Sequence, residues 1–285
     1  MSQPLLTQVK ELCRLYDIKP SRSKGQNFLV NPAVLDDIIT AASLSSADTV
    51  LEVGPGLGVL TERLVEQAGH VVSVELDDKL YRFLQTKFID VHNLEIIHDD
   101  ILTARGLSYQ TTPYKVVANL PYNITSHFLK KFLTTEHKPT AMTLLLQREV
   151  AKRITAPAGA MSLLSVSVQL YGEPEVIVDV PRENFWPSPD VDSAVVHIKN
   201  IKTATAVDNL LGGISEKHFW KIVRIGFSAR RKQLKNNLAS GLGVTAESIE
   251  KTLKNMGFDP KIRAQELTVT DWVTVAQHFG DVINK

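Results

Sequence analysis

Asn119-Leu120-Pro121-Tyr122 is the segment of this chain whose residue types most directly suggest chemistry. Pro121 lacks an N–H, fixes its own φ and biases Leu120 toward an extended backbone. A strand arriving here must therefore stop, with its carbonyls projecting beyond its end. Asn119 adds a side-chain carbonyl and Tyr122 a flat aromatic face. This set suits alkylation of an exocyclic amine on a purine. Such an amine is a poor nucleophile, because its lone pair is delocalised into the ring. Two acceptors that hold its hydrogens draw the nitrogen toward tetrahedral geometry and stabilise the positive charge that develops. Asn119 and the backbone carbonyl of Leu120 or Pro121 can supply them, and Tyr122 can stack on the base and aim it. The alkylated nitrogen is acidic and loses its proton readily, so no His–Asp pair is required. Standing alone, the same tetrapeptide would also serve as an ordinary strand-ending turn.

A second constellation lies upstream. Leu51-Glu52-Val53-Gly54-Pro55-Gly56-Leu57-Gly58 runs from an apolar strand into a helix over 59–68, and glycines at such a turn let the backbone approach a ligand closely. The dinucleotide fingerprint G-x-G-x-x-G is not met. The third glycine comes one residue early at Gly58, Val59 takes the fingerprint position, and Pro55 sits inside the loop. The shorter G-x-G-x-G form after an acid, Glu52, suits the methionine moiety of S-adenosylmethionine better than a pyrophosphate. Roughly twenty residues on, Glu75 ends the next strand, where a carboxylate can accept from both ribose hydroxyls. The third strand ends in His98-Asp99-Asp100-Ile101. Asp99 and Asp100 compete to accept from the cofactor's adenine amino group; Asp100 is favoured, with Ile101 packing on the ring. These strand ends share one crevice at the carboxyl edge of a sheet.

The elements that must position these residues follow from periodicity. Residues 5–18 read as an amphipathic helix and 19–27 as a polar, basic loop. Apolar runs at Thr49–Val53, His70–Glu75, Leu94–His98, Lys115–Asn119, Thr143–Leu146, Val176–Val180 and Ala194–Ile198 alternate with helical stretches. That pattern indicates a doubly wound α/β sheet. The last two runs, joined by the Pro-rich stretch Pro181–Pro189, form an antiparallel pair at one edge. Thr, Ala, Asp and Gly212-Gly213 suggest a linker or loop around 200–214, and helices follow at 216–227, 229–239, 246–255 and 270–279. The expected fold is α/β, a Rossmann-like class I methyltransferase sheet over residues 1–202 with a small all-helical C-terminal domain over 203–285.

Composition sets the bounds. With 285 residues, 44% apolar and 22% charged, the chain has room for two packed domains. A formal charge of +1 leaves nucleic-acid binding to local patches. The single cysteine, Cys13, reads as a small apolar helix residue in a reducing compartment. No apolar run reaches membrane-spanning length, and the expectation is a cytoplasmic monomer that holds no metal.

The chain resembles the ribosomal RNA adenine N6,N6-dimethyltransferase family, most closely its small-subunit dimethyladenosine transferases, over nearly its whole length. Gly25-Gln26-Asn27-Phe28-Leu29, Glu52–Gly58, Asn119–Tyr122 and Phe185-Trp186-Pro187-Ser188-Pro189-Asp190-Val191-Asp192-Ser193 match that family's motifs. The resemblance implies that Asn27, Leu29, Gly54, Glu75, Asp100, Ile101 and Asn119 hold S-adenosylmethionine. It implies that Tyr122 and Phe185 sandwich a target adenine which has left its stacked position. One departure is Met161-Ser162, where the family has a Tyr-Gly pair.

Lys217, Lys221, Arg224, Arg230, Arg231, Lys232 and Lys235, interleaved with Phe219, Trp220 and Phe227, form a basic tract. On its own this is a solvated helix face as readily as a phosphate-binding one. Beside the resemblance it reads as RNA-binding, with Arg22 and Lys24 extending the positive surface, charge supplying salt-dependent affinity and RNA shape supplying specificity. A second branch of the superfamily methylates large-subunit rRNA. Phe227-Ser228-Ala229-Arg230-Arg231-Lys232 and Arg263-Ala264-Gln265-Glu266-Leu267 resemble the small-subunit branch instead, whose substrate is two neighbouring adenosines near the 3′ end of small-subunit rRNA in a partly assembled subunit. Two further readings compete. An NAD-dependent dehydrogenase shares the glycine loop and Glu75 but lacks an identifiable proton donor. A non-catalytic RNA-binding assembly factor would have no use for the intact tetrapeptide and acids.

Overall fold

Every apolar run read from the sequence is a strand of one sheet in the computed structural model, which describes residues 3–21, 25–104 and 113–283. In chain order the first elements are α1 (Leu5–Leu15), β1 (Phe28–Leu29), α2 (Pro32–Ala42), β2 (Thr49–Val53), α3 (Val59–Gln67), β3 (His70–Glu75), α4 (Asp78–Lys87) and β4 (Leu94–His98). Then come β5 (Tyr114–Asn119), α5 (Thr125–Thr134), β6 (Ala141–Gln147), α6 (Arg148–Ile154), α7 (Leu163–Gln169), β7 (Glu173–Val180), β8 (Phe185–Trp186) and β9 (Ser193–Lys199). The sheet order is β4-β3-β2-β5-β6-β9-β7. β4, β3, β2, β5 and β6 run parallel, while β9 is antiparallel to both β6 and β7. Glu52 pairs with Ser73 and Val117, so β2 lies between β3 and β5. The chain moves outward from β2 to β4 and then returns to the other side at β5. The order reverses between β2 and β5, and the ligand crevice of an open α/β sheet forms at that switch.

Local chemistry explains where the helices start. Asn31 caps α2, its side chain accepting from the Ala33 N–H ahead of Pro32, whose missing donor costs nothing in a first turn. Asp77 caps α4 by accepting from the N–H groups of Lys79 and Leu80. On one side of the sheet Val34, Leu35 and Ile38 of α2 and Leu64 of α3 are buried with Val50, Val117 and Leu145. Val9, Cys13 and Ile18 are buried with Leu80, Leu84 and Phe88. Burial pushes the Cys13 thiol up to about 11, which suits the apolar role expected of it. The two-residue strands β1 and β8 form a separate antiparallel ladder that the sequence does not announce.

The chain packs into two compact units, residues 1–151 with 173–201 and residues 152–172 with 202–285. The sequence reading divides it once, at 202/203, and assigns 152–172 to the first domain. The helical unit also takes in that segment: the N–H groups of Gly159 and Met161 both donate to the Gln265 carbonyl. Ser162 caps α7 in a reciprocal pair with Ser165, so the Met161-Ser162 departure makes a helix start.

Two expectations for the helical unit are corrected. Residues 204–211 are not linker but helix α8 (Ala204–Leu211), with Thr203 as its cap and Gly212, at φ +62, as its left-handed terminus. The expected helix 229–239 begins only at Leu234. α9 (Glu216–Gly226) and α10 (Leu234–Leu242) are joined by a turn, followed by α11 (Ala246–Asn255) and α12 (Val269–Ile283). Buried Asn237 donates from Nδ2 to the carbonyls of Gly226 and Ala229, which satisfies the turn and opposes its continuation as helix. Among the described residues no helix is long and apolar enough to cross a membrane.

Candidate active site

The carboxyl ends of β2, β3, β4 and β5 open onto a cavity of about 390 Å³. It is lined by Asn27, Leu29, Gly54, Glu75, Asp100, Ile101 and Asn119, which are all the cofactor residues proposed from the sequence. Pro121 also lines it; Leu120, Tyr122 and Phe185 do not.

The glycine loop has left-handed backbone at Gly54, Gly56 and Gly58, with φ +66, +60 and +75. Gly58 explains the early third glycine. A Cβ there would stand 2.6 Å from the Phe88 ring, so the position serves helix packing. Gly56 is fastened from the next strand: its N–H donates to Glu75 Oε2 at 3.1 Å, and Glu75 Oε1 accepts from the Asp77 N–H at 2.9 Å. Burial raises the Glu75 pKa, against which these two backbone donors stabilise the charge. The carboxylate therefore shapes the loop while keeping lone pairs for a ligand.

Asp99 and Asp100 both line the cavity. Asp99 Oδ1 accepts from the Asp100 N–H at 2.7 Å, and Asp100 Oδ1 accepts from the Leu102 N–H at 2.8 Å. Ile101 is buried and lines the same cavity. Glu52 is 1% exposed at the cavity floor. Its Oε2 accepts from the hydroxyls of Thr61 at 2.8 Å and Ser73 at 2.6 Å, whereas Oε1 has no partner. Burial pushes its pKa up to about 7. A buried acid with one orphaned oxygen on a ligand cavity suits a cationic group there. The sequence noted Glu52 only as the acid before the loop. It missed Leu76, 63% exposed on the cavity rim, and Asp77, the α4 cap. An apolar residue and a helix cap directly after a strand-ending acid would have been the signal for both.

Asn119 ends β5 opposite Leu145. Its Nδ2 donates to the Asn27 carbonyl at 3.2 Å, which turns Oδ1, an acceptor, away from that contact. The Pro121 carbonyl is already engaged, accepting from the Ile124 N–H at 3.2 Å and the Thr125 hydroxyl at 3.5 Å. Gly25 lies over the tetrapeptide, where a Cβ would meet Pro121 Cβ at 3.2 Å. Tyr122 is half-buried, with its hydroxyl 2.7 Å from Ser193 Oγ, and burial raises its pKa.

Phe185, expected to face the target base together with Tyr122, is 4% exposed, pairs with Leu29 across the β1–β8 ladder and is buried among Leu29, Leu35 and Val180. Each short strand lends the other its backbone partners, which draws the ring inward.

Of the RNA-binding candidates, Arg22 and Lys24 lie outside the described residues. Lys217, Lys221 and Arg224 are exposed at helical spacing along α9, and Arg230, Arg231 and Lys232 are exposed on the turn that Asn237 fastens. Lys235 is different: it is bonded to Glu250, whose pKa Lys235 and Lys254 hold down at about 2.

A family model described as Ribosomal RNA adenine dimethylase matches residues 19–281. A Ribosomal RNA small subunit methyltransferase A of Dehalococcoides mccartyi is 46% identical over 270 residues, 94% of this chain and 91% of that one. One of Pelotomaculum thermopropionicum is 39% identical, covering 96% of each chain. Among solved structures, a dimethyladenosine transferase from Plasmodium falciparum superposes with a TM-score of 0.77 at 24% identity, covering 90% of this chain and 98% of that one. The 23S rRNA methyltransferase ErmE superposes with a TM-score of 0.71 at 25% identity, covering 89% and 100%.

Proposed function

The chain belongs to the ribosomal RNA adenine dimethylase family, and on that footing we propose that it moves methyl groups from S-adenosylmethionine to N6 of adenosines in small-subunit rRNA. The observation that carries the proposal is the placing of Asn119. The residue suited to holding an adenine amine lines the same cavity as the residues suited to the cofactor. Relatives that are small-subunit methyltransferases over almost their whole length favour that subunit.

Asn27, Leu29, Gly54, Glu75, Asp100 and Ile101 would hold the cofactor, with Glu52 Oε1 available to its positive charge. The cofactor supplies an electrophilic methyl group on sulfur. Asn119 Oδ1 accepts one N6 hydrogen. The Leu120 carbonyl takes the other, because the Pro121 carbonyl is committed to Ile124 and Thr125. Both acceptors stabilise the ammonium-like nitrogen that forms. Tyr122 stacks on the flipped base, and Phe185, buried beside Leu29, supports that cavity-lining residue in this reading. Two transfers give the dimethylated base. The domain over 203–285, with its basic residues, binds rRNA in a partly assembled small subunit in this reading.

The test is incubation with S-adenosylmethionine and small ribosomal subunits from cells lacking the modification, then mass spectrometry of the digested rRNA. Dimethyladenosine from small subunits alone is expected. Label in large-subunit rRNA would move the protein to the other branch. No methylated adenosine from any rRNA, with cofactor binding confirmed, would overturn the proposal.

A further inference from the structure

Two sequence motifs that stand apart along the chain meet at one hydrogen bond. The Tyr122 hydroxyl ends the tetrapeptide Asn119–Tyr122, and Ser193 ends the stretch Phe185–Ser193; their oxygens are 2.7 Å apart. The two partners differ in freedom. Tyr122 sits on a turn and is half-buried, whereas Ser193 has no exposed surface.

Ser193 is also the better anchored. It opens β9 and is paired on both sides, with Gln147 of β6 and Val180 of β7. Its neighbour Asp192 fixes the approach to that strand. The Asp192 carbonyl accepts from the Arg148 N–H at 2.9 Å, and its carboxylate meets the Arg148 guanidinium at 3.0 Å and the Arg182 N–H at 3.2 Å. A hydroxyl held this way is a fixed post, and a tyrosine tied to it at the far end of its ring cannot swing about its first two side-chain torsions. A ring that must present one face to a purine gains from that tether, since a stacking partner misplaced by an ångström misdirects the amine.

We infer that Ser193 is a positioning residue for methyl transfer, holding the Tyr122 ring through the hydroxyl–hydroxyl bond so that the target base is aimed at the methyl donor. Nothing in this role touches substrate or cofactor; it acts through Tyr122. The inference rests on the stacking role proposed for Tyr122 above.

The experiment compares Ser193→Ala, Tyr122→Phe and the double variant with the wild type in steady-state methylation of small ribosomal subunits. Circular dichroism and the Kd for S-adenosylmethionine serve as checks on folding. Each single variant is expected to lose about tenfold in kcat with KM for subunits essentially unchanged, because aim rather than binding is lost. The double variant is expected to be no worse than either, since all three lack the same bond. A merely structural Ser193 would not give that equality. Wild-type rates for both single variants, or losses that multiply in the double, overturn the inference. Should Ser193→Ala fail to fold, Tyr122→Phe decides: a tenfold loss at constant KM supports the tether and a wild-type rate overturns it. A wild type that methylates no rRNA overturns the functional reading itself, and the control reaction alone reveals that case.

Discussion

The side-chain amide of Asn119 donates to the backbone carbonyl of Asn27 across 3.2 Å. This bond fixes which way the amide faces, so Oδ1, the acceptor, is turned away from Asn27 and toward an incoming amine. A segment near the N-terminus thus sets the polarity of the proposed catalytic asparagine. Asn119→Ala should reduce single-turnover methylation by about 10²–10³-fold, the scale seen when one charge-stabilising contact in a transition state is removed. Asn119→Asp keeps two acceptors but presents a charge to the Asn27 carbonyl and makes no bond there. It should also lose at least about tenfold, given what an unpaired buried polar group costs. Near-normal methylation by Asn119→Asp would show that the polarity set by Asn27 is irrelevant.

Glu75 carries two duties, and its substitution should show both. Its carboxylate accepts from the N–H groups of Gly56 and Asp77 while lining the cavity. Glu75→Ala should weaken S-adenosylmethionine binding by about 5–150-fold, equivalent to roughly 1–3 kcal/mol for lost hydrogen bonds to a charged group. It should also lower Tm, because the Gly56 donor loses its partner. Calorimetric titration and thermal melts separate the two effects. A lost affinity with unchanged Tm would mean that the loop holds its shape without Glu75.

Glu52 makes stability depend on pH. Burial pushes its pKa from the ordinary 4.5 up to about 7. Between those values the folded chain binds more protons than the unfolded one, so stability falls as pH rises through this window. The whole effect is roughly 3 kcal/mol, and it is complete above pH 7. Glu75, raised in the same direction, adds to it. Denaturant titrations at pH 5 and pH 7.5 should show the decline, and Glu52→Gln should flatten much of it. A cationic cofactor beside Oε1 would favour the ionised acid, so binding near pH 7 should release protons. Calorimetry in two buffers of different ionisation enthalpy detects that release, and equal heats would remove Glu52 from the cofactor's surroundings.

The large sheet was legible because its central strands are buried on both faces and carry apolar runs, as Val116–Ala118 of β5 and Leu144–Leu146 of β6 do. The ladder of Phe28–Leu29 with Phe185–Trp186 was not, because two residues have no periodicity. That ladder also sets the burial of Phe185, whose backbone partner Leu29 lies over 150 positions away and is not announced by its Pro-rich neighbours. Helix α8 was hidden by Gly212-Gly213, which reads as linker but ends a helix. The residues after Phe227 are good helix formers, and only the amide of Asn237, reaching back to Gly226 and Ala229, shows why they turn. Gly54, Glu75, Asp100 and Asn119, proposed for the site, lie at or just beyond strand ends, and once the strands are placed their shared edge follows.

The basic turn offers the last prediction. Arg230, Arg231 and Lys232 are exposed between α9 and α10, with their backbone fastened through Asn237. If they contact phosphates, replacing all three with Gln should weaken binding to small subunits and lower the steepness of log K against log salt. Each phosphate contact contributes about 0.7–0.9 to that slope, so a fall of roughly two to three is expected. Affinity for S-adenosylmethionine should not change, since none of the three lines its cavity. Asn237→Ala should act on the same property indirectly. It leaves the Gly226 and Ala229 carbonyls without their donor, costs roughly 1–3 kcal/mol of stability and loosens the turn. Weaker subunit binding with an unchanged salt slope would then follow, because the charges remain. Lys235→Gln should alter the slope little, because Lys235 is already committed to Glu250. A triple variant with wild-type salt dependence would leave Lys217, Lys221 and Arg224 of α9 as the phosphate-binding row.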